Sequence, residues 1–210
     1  MSRTLSEVFD DTRSHDRAAL IGYLPAGFPD ARRAVELITD MVAAGVDIVE
    51  VGLPYSDPLM DGPDIQAAVD QALTAGATPD VVLDTVAQVV AAGATALVMS
   101  YWNPIERYGT DRFADRMASA GGAGVITPDL TPEEAGAWIS ATDRAGLDRV
   151  FLVAPSSTDQ RIETVAAVTS RRRSDSGNAS ARRCAPRVMR SSSPDRETST
   201  SERSANGRST

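Results

Sequence analysis

The sequence has little of the side-chain chemistry that many enzymes use, because it contains one cysteine, one histidine and no lysine. Cys184 alone cannot form an internal disulfide or a multi-cysteine metal cluster. His15 lies in the charged segment "MSRTLSEVFDDTRSHDR", and any Ser-His or Cys-His catalytic scheme would have to be built on it. Acid–base chemistry in this protein is therefore expected to depend on carboxylates.

Long apolar runs are also lacking. No stretch approaches the ~18 consecutive apolar residues that a membrane-spanning helix needs. The N-terminal segment is charged throughout and has no apolar signal-peptide core, so we expect a cytoplasmic protein without a membrane partner. The hydrophobic content of 42% is sufficient for the core of one domain in a chain of 210 residues.

Positive charge is scarce in residues 1–170, which hold 11 Arg against 25 acidic residues, a net charge of −14. Residues 171–210 hold 10 Arg and 4 acidic residues, a net charge of +6. This second segment has ten Ser but no Leu, Ile, Phe, Tyr or Trp, so it cannot bury enough apolar surface to offset the entropy of ordering. We predict a folded domain over residues 1–170 and a disordered Arg/Ser-rich tail over residues 171–210.

The Arg/Ser-rich tail has two interpretations, and they assign it different roles. Its arginines could bind the phosphates of a nucleic acid, although the tail has no aromatic residue on which bases could stack. Alternatively, the tail is an out-of-frame translation of a GC-rich gene, which agrees with a chain that lacks Lys and is rich in Ala. We favour the out-of-frame interpretation and expect no nucleic-acid partner. The DNA beyond codon 170 distinguishes the two.

A structural unit repeats within residues 1–170: a helix ends in Ala-Gly, and an apolar run rich in β-branched residues follows. The instances are "AAGVDIVEVG", "AAGATALVMSY", "SAGGAGVITPDL" and "RAGLDRVFLVAP", and "AALIGYLPAG" supplies a first strand of the same kind. Such runs are typical of strands that are covered on both faces. Five βα units without a hairpin signal predict an α/β fold with a parallel sheet, either doubly wound or a (β/α)8 barrel. The absence of GxGxxG after the first strand argues against dinucleotide binding.

The helices between the strands have recognisable starts. Asp30 is positioned to cap one helix, and Thr78 followed by Pro79 is positioned to open another. The segments "TPEE" from Thr131 and "STDQ" from Ser157 resemble capping boxes, which would begin two further helices.

The spacing of the helix-closing glycines is uneven. Gly45 and Gly93 are 48 residues apart, whereas the two later intervals are 28 and 25 residues. The long interval predicts an insertion with two helices, which start near Asp64 and Thr78, in the second βα loop. Loops of this kind commonly carry the chemistry of α/β proteins.

A carboxylate stands near the end of the second apolar strand. Because side chains alternate along a strand, Ile48, Glu50 and Gly52 share one face, and Glu50 lies towards the carboxyl end, where active sites gather. A buried and unpaired carboxylate is costly when ionised, so Glu50 would either pair with an arginine of a helix or have a raised pKa. The apolar neighbours and the loop that follows favour a catalytic role.

The loop after this strand, "GLPYSDPLMDGP", presents two further acids on a stiff backbone. Asp57 and Asp61 are interspersed with three prolines, and proline restricts the disorder of a loop that must present groups accurately. Taken singly, Asp57 and Asp61 are ordinary turn residues. Their combination with Glu50 favours a functional site.

This combination resembles the tryptophan synthase alpha subunit family. The segment "DIVEVGLPYSDPLMDGPDIQ" is similar to the family's second strand and following loop nearly residue for residue. The segments "LIGYLPAGFPD", "LVMSYWNPIERYG", "GVITPDLTPEEA" and "VFLVAPSSTDQRI" are similar to its first, third, fourth and fifth strand regions. The resemblance covers residues 4–170 and implies a (β/α)8 TIM barrel, of which residues 1–170 form an incomplete domain with about five of the eight βα units.

The resemblance implies a lyase of tryptophan biosynthesis, which cleaves indole-3-glycerol phosphate by a retro-aldol reaction to indole and glyceraldehyde 3-phosphate. Glu50 occupies the family's position for the general acid and base. Asp61 matches the second catalytic acid, which accepts a hydrogen bond from the indole N–H. Tyr23, Tyr101 and Asp129 match positions that line the substrate pocket. No metal and no organic cofactor is implied for this step.

A protein partner is implied as well. Pro54 and Asp57 match the part of the loop that faces the beta subunit in the family's alpha-2 beta-2 heterotetramer. The beta subunit carries pyridoxal phosphate and consumes the indole, so this cofactor is expected only in the partner.

The sequence departs from the family after residue 170, since residues 171–210 match none of the three remaining βα units. Barrels of this type commonly bind phosphate at the loops after strands 7 and 8, and five strands would leave the first and fifth as unpaired edges. We therefore expect the chain to fold poorly or aggregate and to have little or no lyase activity. An alternative function is a non-catalytic module that binds the tryptophan synthase beta subunit.

Overall fold

The structure of the protein is a computed structural model that describes residues 3–169. The predicted disordered tail, residues 171–210, and Cys184 within it lie outside the described residues. In the described part of the chain, helices and strands alternate in the predicted βα order.

The helices and strands of residues 3–169 follow one another without a hairpin. In chain order they are α1 (Leu5–Ser14), β1 (Ile21–Pro25), α2 (Ala31–Ala43), β2 (Ile48–Gly52), α3 (Pro63–Thr74), α4 (Pro79–Ala91), β3 (Ala96–Met99), α5 (Trp102–Tyr108), α6 (Thr110–Ser119), β4 (Gly124–Thr127), α7 (Gly136–Ala145), β5 (Asp148–Phe151) and α8 (Asp159–Val168). The five predicted strands are confirmed.

The strands form one parallel sheet in the order β1-β2-β3-β4-β5. In its register Tyr23 lies opposite Glu50, Glu50 opposite Leu97, and Leu97 opposite Gly124. Strands that are consecutive in sequence are neighbours in the sheet, without the reversal of strand order that doubly wound folds have, so the topology agrees with the barrel alternative. Within residues 3–169, β1 and β5 are the edge strands, as predicted.

The outer face of the sheet packs against the helices. Val49 and Val51 of β2 and Val98 of β3 are fully buried there, in a cluster that includes Ile38 of α2 and Val86 of α4. Burying a valine or isoleucine side chain stabilises a fold by about 1.5–3 kcal/mol. These valines alternate with Glu50 along the sequence, and their burial therefore turns Glu50 to the opposite face.

The two tryptophans of the chain meet in this helix-covered core. The ring of Trp102 contacts that of Trp138 edge to face, with 5.9 Å between the ring centroids. Phe113 of α6 lies 6.3 Å from Trp138, which is fully buried. Aromatic contacts thus join α5, α6 and α7.

Helix α1 covers part of the inner face of the sheet. Ile48, Leu97 and Ile126 are buried there against Leu5 and Val8 of α1. Glu50, two residues beyond Ile48 on the same face, remains only half-buried. The inner face is therefore apolar beneath α1 and becomes polar further along β2.

Two predicted helix starts are confirmed. Asp30 Oδ1 accepts a hydrogen bond from the Arg33 N–H at 2.8 Å at the start of α2. Thr78 Oγ1 accepts one from the Val81 N–H at 3.3 Å at the start of α4. Each cap satisfies a backbone donor that the first helical turn leaves unpaired, a contribution of about 1 kcal/mol.

The prediction that a capping box at Thr131 begins a helix is wrong. The Glu134 N–H donates to the Thr131 carbonyl at 3.1 Å in a turn, and α7 begins only at Gly136. Ala135 between them is fully buried. A turn over residues 131–134 and the buried Ala135 therefore precede the helix.

The capping box predicted at Ser157 is displaced by one residue. The Ser157 hydroxyl accepts a hydrogen bond from the Ala154 N–H at 3.0 Å, so it is engaged in the preceding turn. Thr158 caps α8 instead, where its Oγ1 accepts from the Arg161 N–H at 3.2 Å.

Two βα segments contain an additional helix. The helices α3 and α4 confirm the predicted pair between β2 and β3. The segment between β3 and β4 also contains two helices, α5 and α6. The spacing of 28 residues between Gly93 and Gly121 had indicated one βα unit with one helix. The two helices meet at Gly109, where a φ of 100° lets the chain change direction.

A buried arginine ties the last two described helices to β5. Arg149 is 2% exposed. Its guanidinium donates hydrogen bonds to the Val168 carbonyl at 2.7 Å, to the Thr142 hydroxyl at 3.1 Å and to the Asp143 carboxylate at 2.6 Å. One side chain of β5 therefore fixes α7 and the carboxyl end of α8.

We predict that Arg149→Met lowers the free energy of unfolding by about 2–3 kcal/mol, because the partly buried Val168 carbonyl and the buried Thr142 hydroxyl lose a charged donor. Urea titration followed by circular dichroism measures this loss. Arg144→Met is the matched control, since Arg144 of α7 pairs with Asp111 at 2.8 Å on the exposed surface. Surface pairs contribute only about 0–1 kcal/mol. Equal losses in the two variants would contradict the role of Arg149.

Candidate active site

Tyr23 and Glu50 project side by side from the inner face of the sheet. The parallel register pairs Tyr23 of β1 directly with Glu50 of β2. Neighbouring strands lie about 4.8 Å apart, and paired residues point to the same face. The loop that carries Asp57 and Asp61 begins immediately after β2. Glu50 on β2 is therefore close in sequence to the loop that presents Asp61, the second predicted catalytic acid.

Glu50 is a half-buried carboxyl in a largely apolar setting. Burial raises the pKa of Glu50, and no neighbouring charge within residues 3–169 contributes to this shift. Burial has this effect because the ionised form loses hydration that the protonated form needs less. Glu50 therefore holds its proton at a higher pH than an exposed glutamate does, as a general acid requires.

Asp61 is hydrogen-bonded to the ring hydroxyl of Tyr101. Tyr101 lies between β3 and α5 and is 2% exposed. Its hydroxyl donates to Asp61 Oδ2 at 3.3 Å and accepts from the N–H groups of Leu59 and Met60 at 3.1 and 2.8 Å. These contacts fasten the loop after β2 to the carboxyl end of β3.

The Tyr23 phenol lies beside Glu50 and against the backbone of Gly52. Burial raises the pKa of Tyr23 strongly, and the charge of Asp61 raises it further, followed by smaller effects of Tyr101 and Glu50. A Cβ at Gly52 would overlap the Tyr23 hydroxyl, so the phenol packs against the bare backbone of Gly52. The structure therefore pairs Tyr23 with Glu50 in the sheet and Asp61 with Tyr101 at the loop after β2.

Asp129 lies at the same edge of the sheet, and its carboxylate contacts the backbone. Asp129 follows β4, and its two carboxylate oxygens accept from the Trp102 N–H at 2.9 and 3.1 Å. A carboxylate at this position caps the first turn of α5 and interacts favourably with the helix dipole. Asp129 thus fixes the residue that follows Tyr101, and its contact with a substrate stays a prediction.

The two residues predicted to face a partner differ in exposure. Pro54 is buried in the described part of the chain, whereas Asp57 is exposed and accepts a hydrogen bond from the Ser56 hydroxyl at 2.6 Å. Nearby on the loop, Leu59 and Met60 are 76% and 59% exposed. The exposed surface of the loop therefore combines one acid with two apolar side chains. The partner contact of Pro54 stays a prediction.

Three features of the site were not predicted from the sequence. They are the contact of Tyr23 with Gly52, the hydrogen bonds from the loop amides to Tyr101, and the Tyr55 ring, whose centroid lies 5.7 Å from that of Tyr101. The position of Gly52, two residues after Glu50 on the same face, was a usable signal. The contacts of Tyr101 join residues that are 41 and 42 positions apart, and no local pattern indicates them.

Neither a clustered metal site nor a membrane span is found in the part of the chain that the structure describes. No group of three or more His, Cys, Asp or Glu side chains in residues 3–169 is arranged to hold a metal ion. None of the helices there combines the length and the apolar character that crossing a membrane requires.

Comparison with known proteins identifies similar sequences. The family described as "Tryptophan synthase alpha chain" matches residues 9–171. The tryptophan synthase alpha chain of Thermobifida fusca is 60% identical over 159 residues, which are 76% of this chain and 59% of that protein. The alpha chain of Mycobacteroides abscessus is 57% identical over 159 residues, which are 76% of this chain and 61% of that protein. The chain thus spans about three fifths of the length of these curated relatives.

Solved structures show the same likeness in three dimensions. A crystal structure of tryptophan synthase from M. tuberculosis in its aminoacrylate- and BRD0059-bound form has a TM-score of 0.78 at 50% identity, covering 80% of this chain and 68% of that chain. The tryptophan synthase subunit alpha of Legionella pneumophila has a TM-score of 0.75 at 32% identity, covering 78% of this chain and 63% of that chain.

We predict that Glu50→Gln stabilises the fold at neutral pH and less so in acid. Burial raises the folded-state pKa of Glu50 above its ordinary value of 4.5. The favourable contribution of the carboxyl is therefore complete below the ordinary value and is lost as the pH rises through the raised pKa. Urea unfolding at about pH 4 and about pH 8 brackets this range, and the advantage of Gln should be larger at the higher pH.

Glu163→Gln is the control for this comparison, because Glu163 is an exposed glutamate of α8. We expect it to change the free energy of unfolding by less than about 0.5 kcal/mol at either pH. A Glu50→Gln variant that is less stable than the unmodified chain at the higher pH would show that burial does not penalise the ionised carboxylate.

Proposed function

The chain belongs to the tryptophan synthase alpha chain family, and from this membership we propose that it carries the acid–base pair for retro-aldol cleavage of indole-3-glycerol phosphate. The sheet is then part of the (β/α)8 barrel of the family, with residues 3–169 supplying five of its strands. The observation that carries the proposal is the half-buried carboxyl of Glu50, which lies beside Tyr23 in the sheet and is followed by a loop whose Asp61 is hydrogen-bonded to Tyr101.

The reaction breaks the bond between C3 of the indole ring and the hydroxyl-bearing carbon of the glycerol phosphate chain. A proton is added to C3 of the ring, which places positive charge on the ring and its nitrogen. Removal of the proton from the neighbouring hydroxyl then lets that carbon become the aldehyde of glyceraldehyde 3-phosphate. The electron pair of the broken bond returns to the ring and restores indole.

Glu50 is the proposed proton donor and acceptor in both steps. Its raised pKa keeps a fraction of the carboxyl protonated where an exposed glutamate is ionised, so it can protonate C3. The carboxylate left behind is then the base that accepts the hydroxyl proton. One residue can serve both steps because each leaves it in the form that the next requires.

Asp61 is the proposed partner of the ring nitrogen. A carboxylate that accepts a hydrogen bond from the indole N–H stabilises the positive charge that develops on the ring. The Tyr101 hydroxyl already donates to Asp61 Oδ2 at 3.3 Å, which fixes one oxygen of the carboxylate. Tyr23, with its pKa raised by burial, stays protonated and can line the pocket as a neutral group.

The substrate phosphate needs an anchor that this pair of acids does not supply. In barrels of this type, phosphate commonly binds at the loops after strands 7 and 8. The five strands of the described residues do not include those loops. We therefore propose that Glu50 and Asp61 supply the chemistry and that affinity for the phosphate depends on units beyond them.

The proposed partner is a tryptophan synthase beta subunit, with which the family's alpha chain forms an alpha-2 beta-2 tetramer in the cytoplasm. Pyridoxal phosphate is expected in that subunit, whereas the cleavage step needs no cofactor in this chain. The loop next to Asp61 has an exposed surface formed by Asp57, Leu59 and Met60. A partner that binds this surface would lie close to the place where indole is released in the proposed reaction. This surface also supports the second candidate function, a non-catalytic module that binds the beta subunit.

We predict that the chain, mixed with a beta subunit, forms tryptophan from indole-3-glycerol phosphate and serine at a low rate that depends on both acids. Glu50→Gln should lower the rate by at least about 100-fold, the range expected for loss of a general acid and base. Asp61→Asn should lower it by roughly 100-fold, as loss of one charge-stabilising group does. Formation of tryptophan measured by chromatography checks both.

Asp70→Asn and Glu163→Gln are the matched controls, because both residues are exposed on helices away from the site. They should leave the rate unchanged. Equal rates for Glu50→Gln and the controls would refute the proposed chemistry. Turnover no higher than that of the beta subunit alone, with co-sedimentation of the two proteins retained, would support the non-catalytic module instead.

A further inference from the structure

The hydroxyl of Tyr101 makes three hydrogen bonds to three consecutive residues of the loop after β2. It accepts from the N–H groups of Leu59 and Met60 at 3.1 and 2.8 Å, and it donates to Asp61 Oδ2 at 3.3 Å. A phenol hydroxyl has one proton to donate. That proton is directed at Asp61, so none is left for a hydrogen bond to a substrate.

Tyr101 itself is held firmly. It is 2% exposed, and its carbonyl accepts a hydrogen bond from the Ser100 hydroxyl at 2.7 Å. The next residue, Trp102, is fixed through its N–H by both carboxylate oxygens of Asp129, at 2.9 and 3.1 Å. Tyr101 is therefore a buried residue between β3 and α5, and its hydroxyl is hydrogen-bonded to the loop after β2.

The loop segment that Tyr101 contacts has little other support. Leu59 and Met60 are 76% and 59% exposed, so their side chains contribute little packing to the position of the backbone. On the α3 side, the Asp61 carbonyl accepts a hydrogen bond from Gln66 Nε2 at 2.8 Å. On the β2 side, the Tyr101 hydroxyl therefore supplies hydrogen bonds that hold the backbone of a proline-stiffened loop next to Asp61.

We propose that Tyr101 is a positioning residue, whose hydroxyl sets the place and orientation of the Asp61 carboxylate by holding the backbone of residues 59–61. This role rests on the proposed function of Asp61 and differs from the direct substrate contact that the family resemblance implies for Tyr101. The ring lines the site, while the hydroxyl acts on the substrate only through Asp61. Asp129 contributes indirectly, because it fixes the backbone next to Tyr101.

Tyr101→Phe tests the proposal, since it removes the hydroxyl and keeps the ring. Tyr55→Phe is the matched control, because its ring lies 5.7 Å from that of Tyr101 and the change of atoms is the same. Hydrogen exchange followed by NMR reports the Leu59 and Met60 amides directly. We expect exchange at both amides to be about five- to tenfold faster in Tyr101→Phe, as loss of a hydrogen bond implies, and unchanged in Tyr55→Phe. Equal exchange in the two variants would overturn the proposal.

A double-mutant cycle separates positioning from substrate contact. If the Tyr101 hydroxyl acts through Asp61, Tyr101→Phe should lower kcat about tenfold with little change in KM, and it should have almost no further effect in an Asp61→Asn background. The same fold loss in both backgrounds would mean that the hydroxyl contacts the substrate, and the proposal would be wrong. The exchange measurement needs no turnover, so it decides the positioning role even when the proposed lyase activity fails.

Discussion

The parallel register between β1 and β2 is the constraint on which the candidate site depends. It places Tyr23 beside Glu50, while the alternation of side chains buries Val49 and Val51 among the helices. A slip of one residue would exchange the two faces, moving Glu50 into the helix-covered core and the valines to the inner face. The apolar packing that stabilises the sheet therefore also orients the acid. The strand that packs Val49 and Val51 against the helices is thus also the strand that carries the proposed acid, Glu50.

Local rules and long-range packing explain different parts of this structure. The strands, the helices closed by glycine and the caps at Asp30 and Thr78 follow from short sequence patterns, because each depends on bonds within a few residues. The helix start predicted at Thr131 was wrong, because residues 131–134 form a turn and the buried Ala135 follows it before α7 begins. The placement of Glu50 on the inner face was predictable from alternation, and the family resemblance supplied the pairing with Asp61. The anchoring of Asp61 by Tyr101 could not be predicted, since it joins residues 40 positions apart.

In the proposed function, the acid–base groups and the phosphate-binding groups belong to different parts of the barrel. The acid–base groups lie on β2 and the loop after it, supported by β1 and β3, so their geometry is complete within the described residues. Phosphate recognition in such barrels commonly belongs to the last two units. The chain spans about three fifths of the length of its curated relatives, and the described sheet has five strands. In the proposed function, bond cleavage and phosphate binding are thus assigned to different βα units of the barrel.

The edge-to-face contact between Trp102 and Trp138 has an optical consequence. These are the two tryptophans of the whole chain, and their ring centroids are 5.9 Å apart. Light near the red edge of the absorption band excites tryptophan selectively. The resulting fluorescence therefore comes from Trp102 and Trp138, which lie in α5 and α7. This pair adjoins Tyr101 through the peptide bond to Trp102. Changes in emission wavelength or quenching will thus report, without a label, on the packing next to Tyr101. They will not average over distant parts of the protein.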